Sequence, residues 1–134
     1  MKRVVFDSYA LIAFFRQEEG YEAVRELLVK MAAGETEGFI TTVNVGEVFY
    51  MISRKSGAKN AATALDALLK FPLQIIDADL KLTLEAAALK AKYALSYVDA
   101  FAAALTTAKK AILITSDAKF ENLKGEQGFK VKYL

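Results

Sequence analysis

The chain has 134 residues, 54% hydrophobic and 25% charged, with 7 Gly and 1 Pro; this is the composition of one packed domain over residues 1–134 and excludes a disordered tail. With 0 His and 0 Cys, thiol catalysis, Ser-His-Asp triads and histidine-based zinc sites are ruled out, so acid, base or metal chemistry must come from the 16 carboxylates, helped by Lys, Ser, Thr or Tyr. The net charge of +2 resolves into 12 basic against 13 acidic residues over 1–108 and 6 Lys against 3 acids over 109–134, too small an excess to announce a nucleic-acid partner by itself.

Met1-Lys2-Arg3 before an apolar run has the outline of a secretory signal, but Asp7 interrupts the run and Arg16 to Glu19 follow without a small-residue cleavage site, so the segment reads as mature structure. Val4-Val5-Phe6, ended by Asp7-Ser8, predicts a strand over about residues 2–6 and a helix from Ser8. Tyr21, Val24, Leu27, Leu28 and Met31 recur at the helical period, closed by Gly34, and Phe39-Ile40-Thr41-Thr42 is a second strand. From Asn44 the apolar set Val45, Val48, Phe49 and Ile52 marks a helix ending near Gly57, and a further helix carrying Ala64, Leu65, Leu68 and Leu69 stops before Pro72. Leu73 to Ile76 is a third strand; Leu80, Leu84, Ala87 and Ala91 mark another helix, and Ser96 opens one more through Lys110. Ile112-Leu113-Ile114-Thr115 is a buried strand, and the alternation from Phe129 to Tyr133 is that of a half-exposed edge strand.

Strands separated by helices long enough for crossovers predict an α/β domain with a mostly parallel central sheet of about five strands and helices on both faces. Every apolar run is broken by a charge well short of the ~18 residues of a membrane span. No membrane association is expected, and the absence of cysteine suits a cytoplasmic setting.

Ligands of open α/β sheets bind beyond the carboxyl ends of the strands. Asp7 and Asp117 follow strands, Glu47 lies early in the helix after the second strand, and Asp99 lies early in the helix that leads into the fourth. Each has a structural alternative. Asn44-x-x-Glu47 and Ser96-x-x-Asp99 match capping-box spacing, and a lone Asp after a strand is most often a turn residue. Apolar Val43 and Met51 on either side of Glu47, and small Ala102 and Ala103 beyond Asp99, favour a site. If all four carboxylates converge, each pair ~4 Å apart repels by roughly 4 kcal/mol at an effective dielectric near 20. With no histidine to offset this, a hard divalent cation such as Mg²⁺ or Mn²⁺ is the natural remedy.

The blocks Val5-Phe6-Asp7-Ser8-Tyr9-Ala10-Leu11-Ile12, Asn44-Val45-Gly46-Glu47-Val48, Leu95-Ser96-Tyr97-Val98-Asp99-Ala100 and Ile114-Thr115-Ser116-Asp117-Ala118-Lys119-Phe120, in that order, resemble a PIN domain, and more narrowly the VapC-type toxins of prokaryotic toxin–antitoxin pairs. The resemblance implies a Mg²⁺- or Mn²⁺-dependent endoribonuclease with Asp7, Glu47, Asp99 and Asp117 as the catalytic and metal-binding acids and Thr115 or Ser116 as a polar helper. It also implies a homodimer, an RNA substrate and a cognate antitoxin that blocks the site. Lys119 stands where some members carry a further acid, which leaves a second metal in doubt.

Arg16, Arg54 and Lys55 read as solvated helix-face charges rather than RNA contacts, Asp77 and Asp79 as turn and N-cap residues, and Phe14, Phe15, Phe49 and Tyr50 as core or dimer contacts rather than base-stacking platforms. Two other functions fit the outline: a phosphoacceptor signalling domain, which wants more acids after the first strand, and a PIN-like RNA- or protein-binding module without significant catalysis.

Overall fold

The computed structural model describes residues 1–134. In chain order the elements are β1 (Lys2–Phe6), α1 (Ser8–Phe15), α2 (Tyr21–Ala32), β2 (Thr36–Thr41), α3 (Thr42–Ser56), α4 (Ala58–Lys70), β3 (Leu73–Ile76), α5 (Leu80–Lys92), α6 (Tyr97–Ala108), β4 (Ile112–Thr115), a 3₁₀ helix (Ala118–Leu123) and β5 (Val131–Tyr133). The strands form one sheet in the order β3-β2-β1-β4-β5, and every pairing is parallel. The fold is thus a single α/β domain with β1 at its centre.

Strand alternation divides the core in two. Val4 and Phe6 of β1, with Ile40 and Ile114, meet apolar residues of α1, α2, α3 and α4. Val5, Phe39 and Leu113 point the other way, against α5, α6 and the 3₁₀ helix. The face under α6 is built from small side chains, Ala100, Ala102, Ala103 and Ala104, all buried, so this helix lies close against its neighbours. Gly38 in β2 is required by packing: a Cβ there would collide with Met31 of α2 and Leu73 of β3. Gly57, with φ of 90°, both ends α3 and begins α4, a backbone conformation costly for any residue with a Cβ.

The expected elements are present, with shifted boundaries. β2 starts at Thr36 because the polar pair Thr36 and Glu37 registers with Lys2 and Arg3 of β1, a signal that hydrophobic alternation does not carry. Thr42 belongs to α3, not to the strand. Phe129 remains outside the short edge strand β5, its N–H bonded to Glu126 in a turn and its ring stacked on Phe120. No helix is long and apolar enough to cross a membrane.

Candidate active site

The central strand ends at Phe6, and Asp7 follows, fully buried. Its Oδ1 accepts the N–H of Ala10 at 2.9 Å, capping α1. Its Oδ2 accepts the hydroxyl of Thr115 at 2.5 Å. Parallel pairing of β1 with β4, in which Phe6 stands against Ile114, brings these strand ends together. The Thr115 oxygen also accepts the N–H of Asp117 at 2.9 Å, and Asp117 in turn caps the 3₁₀ helix by accepting from Lys119 N at 3.0 Å. Asp117 therefore makes the turn expected of it and Asp7 caps a helix instead, both lying at the carboxyl edge of the sheet.

The helix carrying Glu47 begins earlier than Asn44-x-x-Glu47 spacing suggests. Thr41 is the N-cap, its hydroxyl oxygen accepting from Asn44 N at 3.0 Å. Asn44 is instead a buried bridge: its Nδ2 donates to Ser8 Oγ at 3.0 Å, its carbonyl accepts from the Ser8 hydroxyl at 3.3 Å, and its Oδ1 accepts from Thr41. The expected capping box at Asn44 and Glu47 is thus absent, and Glu47 sits beyond the first turn. Its Oε2 accepts the Tyr50 hydroxyl at 3.3 Å, whereas Oε1 is buried without a partner. In α6 the spacing does describe the cap: Ser96 Oγ accepts from Asp99 N at 3.1 Å, and the Asp99 side chain is buried.

The acids act on one another. Burial pushes the Asp7 carboxyl up to about 7, against the lowering effect of its bonds to Thr115 and Ala10, and the charges of Asp99 and Asp117 raise it further. Asp99 is likewise raised, first by burial; the hydrogen bond with Ser96 lowers it, Asp117 and Glu47 raise it, and Lys119 lowers it. Tyr9 is raised by burial and then by Glu47, Asp117 and Asp99. The charges of Asp99 and Asp117 thus reach Asp7, and that of Glu47 reaches Asp99. No three of them are gathered in the geometry that holds a metal ion. The donor set is nonetheless all carboxylate oxygen, and Glu47 Oε1 lacks the partner a buried oxygen requires, both of which fit a hard divalent cation.

Other residues follow expectation in part. Phe14 and Phe15 are packing residues, ring centroids 5.5 Å apart, with Phe71 against both. Phe49 and Tyr50 are not core: they are 38% and 43% exposed, because α3 buries Val48 and Ile52 on its opposite face. Arg16 is tied to Glu18 and Ser56 rather than freely solvated, and Arg54 lies over the Tyr50 ring. Asp79 caps α5 as expected, accepting from Leu82 N at 2.8 Å. Asn44, read from the sequence only as a cap, and Tyr9 are further neighbours of the acids; the position of Asn44 on the helix stripe of Val48 and Ile52 was the available signal for the first, and Tyr9 offered none.

A profile of the PIN domain matches residues 4–126. No curated relative matches the chain. Among solved structures the fold is similar to VapBC2 from Rickettsia felis, bound to a DNA fragment from its promoter, with a TM-score of 0.74, 20% identity and 98% of each chain covered. It is also similar to VapC20 of Mycobacterium tuberculosis, a sarcin-ricin loop cleaving toxin, at 0.72 and 15% with 88% of this chain and 92% of that one covered. The toxin–antitoxin member VapBC-5 of Mycobacterium tuberculosis aligns at 0.70 and 16% over 100% of both chains.

Proposed function

The chain belongs to the PIN-domain family, and on that premise we propose that it is a metal-dependent endoribonuclease, the toxin of a VapBC-type toxin–antitoxin pair. The observation that carries this is the tie of Asp7 and Asp117 to the one Thr115 hydroxyl at the ends of β1 and β4, with Asp99 near enough to raise Asp7 and Glu47 near enough to raise Asp99. With 0 His in the chain, a divalent cation suits the repulsion among these carboxylates, which is otherwise relieved by Lys119 beside Asp99 and by the raised proton affinity of Asp7.

Asp7, Glu47, Asp99 and Asp117 would hold Mg²⁺ or Mn²⁺. Bound there, the ion would offset their repulsion, lower the pKa of water and clamp non-bridging phosphate oxygens. The protein's own contribution is orientation. Thr115 fixes Asp7 and Asp117 through one oxygen, Tyr50 engages one oxygen of Glu47 and leaves the other free, and Ser96 holds the turn that presents Asp99. Water is the nucleophile, adding to phosphorus as the bond to O3′ breaks, so the product ends are a 5′-phosphate and a 3′-hydroxyl. Attack by the ribose hydroxyl would instead leave a 2′,3′-cyclic phosphate, and a chain with 0 His has no imidazole pair to serve that route.

The VapBC complexes whose fold this chain shares support an antitoxin partner that blocks the site, and a homodimer is part of the same proposal. Substrate and antitoxin would both be met in the cytoplasm. The test is RNA cleavage by the purified chain with Mg²⁺ or Mn²⁺, lost in EDTA and restored by excess ion. Cleavage that persists in EDTA, or none under any divalent condition, overturns it.

A further inference from the structure

Gly46 lies inside α3, immediately before Glu47, and the fold does not require it. Its φ is not positive, it is exposed, and a Cβ there would meet nothing within 4 Å. Glycine in a helix interior is destabilising relative to alanine, so the bare backbone has a local cost with no packing reason. One turn on stands Tyr50, 43% exposed, and one turn further Arg54, its guanidinium 5.2 Å from the Tyr50 ring centroid. Arg54 makes no ion pair with a carboxylate. At i, i+4 and i+8 these residues form one stripe on a single helix face. Beside it, the Tyr50 hydroxyl donates to Glu47 Oε2, and Glu47 Oε1 is left buried and unpartnered.

We propose that Gly46, Tyr50 and Arg54 form a nucleotide subsite for an unpaired stretch of RNA, an inference that rests on the nuclease function proposed above. Tyr50 stacks one splayed base on the ring face turned away from Arg54. Arg54 meets an adjoining phosphate, and Gly46 lets the strand descend to backbone level next to Glu47. A base in a duplex has its faces occupied by neighbouring bases and cannot use such a ring, so the preferred substrate is single-stranded or looped. A buried carboxylate oxygen without a partner, as at Glu47, is poor material for the centre of a protein interface, where Glu is depleted. The exposed Leu80 and Leu84 of α5, at 73% and 60%, offer a second copy a better apolar face.

The test is binding of a single-stranded RNA oligonucleotide carrying 2-aminopurine, followed in EDTA by fluorescence quenching, beside thermal melts and Mn²⁺-supported cleavage. Gly46→Ala is expected to raise Tm yet weaken RNA binding and raise KM. Tyr50→Leu is expected to weaken binding about tenfold, within the range for one base–aromatic stack, while Tyr50→Phe keeps it. A Gly46→Ala protein that is more stable with unchanged affinity overturns the subsite. So does a Tyr50→Leu protein that loses self-association in sedimentation and keeps its RNA affinity, since the stripe would then serve a second copy. Wild-type binding that depends on the stripe without any Mn²⁺-supported cleavage would instead remove the nuclease function and leave the subsite. Wild-type protein that neither binds RNA nor cleaves it with Mn²⁺ removes both.

Discussion

Thr115 donates its hydroxyl to Oδ2 of Asp7 at 2.5 Å across 108 positions of sequence, and the same oxygen accepts the backbone N–H of Asp117. One buried hydroxyl thereby sets two acids. Replacing it by the isosteric Val strands a carboxylate oxygen and an N–H, so Thr115→Val is expected to cost about 1–3 kcal/mol and to reduce divalent-dependent cleavage at least tenfold. Thr115→Ser restores both bonds and should recover most of each. Urea melts and cleavage rates of the two variants check this, and equal activity in Thr115→Val sinks it.

Burial makes Asp7 a source of pH dependence in the metal-free protein. Its folded value, about 7, lies above the 3.8 of an ordinary Asp. The folded state therefore holds the proton more tightly, and the associated stability is full below pH 3.8 and lost as pH rises toward 7. At 1.36 kcal/mol per unit the loss amounts to at most roughly 4 kcal/mol. Asp7→Asn cannot ionise, so its urea-melt stability in EDTA should be flatter between pH 4 and 8 than that of the wild type, and its cleavage lower by orders of magnitude. An unchanged slope would refute the assignment.

Asp99 separates cap from site with one substitution. The cap bond runs from the Asp99 backbone N–H to Ser96, so Asp99→Asn keeps it and relieves repulsion from Asp117 and Glu47. Melts in EDTA should show no loss of stability, and Mn²⁺-supported cleavage should fall by orders of magnitude. Ser96→Ala, by contrast, should cost about 1 kcal/mol as a lost N-cap. A destabilised but active Asp99→Asn protein would end the catalytic claim for this residue.

The Ser8–Asn44 bridge joins the starts of α1 and α3, the helices that begin beside Asp7 and Thr41. Ser8→Ala and Asn44→Ala cut the same tie, so a double-mutant cycle should give a coupling of about 0.5–3 kcal/mol rather than additive losses. Additivity in chemical denaturation would show that the two side chains act independently.

Much of this architecture was legible in short stretches of sequence. The β-branched runs at Val4-Val5 and Ile112 to Ile114, the helical period from Tyr21 to Met31 and the stop at Gly57 report local preferences for extended or helical backbone, and the structure follows them. The acids at Asp7 and Asp117 were legible for the same reason: a residue that follows a strand in an open α/β sheet lies at its carboxyl edge.

Chain ends and exposures were decided elsewhere. Thr41, not Asn44, caps α3 because β2 remains a strand up to its pairing with Ile76 of β3. That freed Asn44 to reach Ser8, a contact between residues 36 apart. Tyr50 faces outward because α3 turns Val48 and Ile52 toward the sheet, and nothing in the local pattern distinguishes an aromatic that is buried from one that is not. Backbone preference acts over a few residues, whereas the meeting of Asp7 with Thr115 depends on strands laid side by side after most of the chain has intervened. Local sequence accordingly determined which elements form, and only packing across the sheet decided which side chains meet.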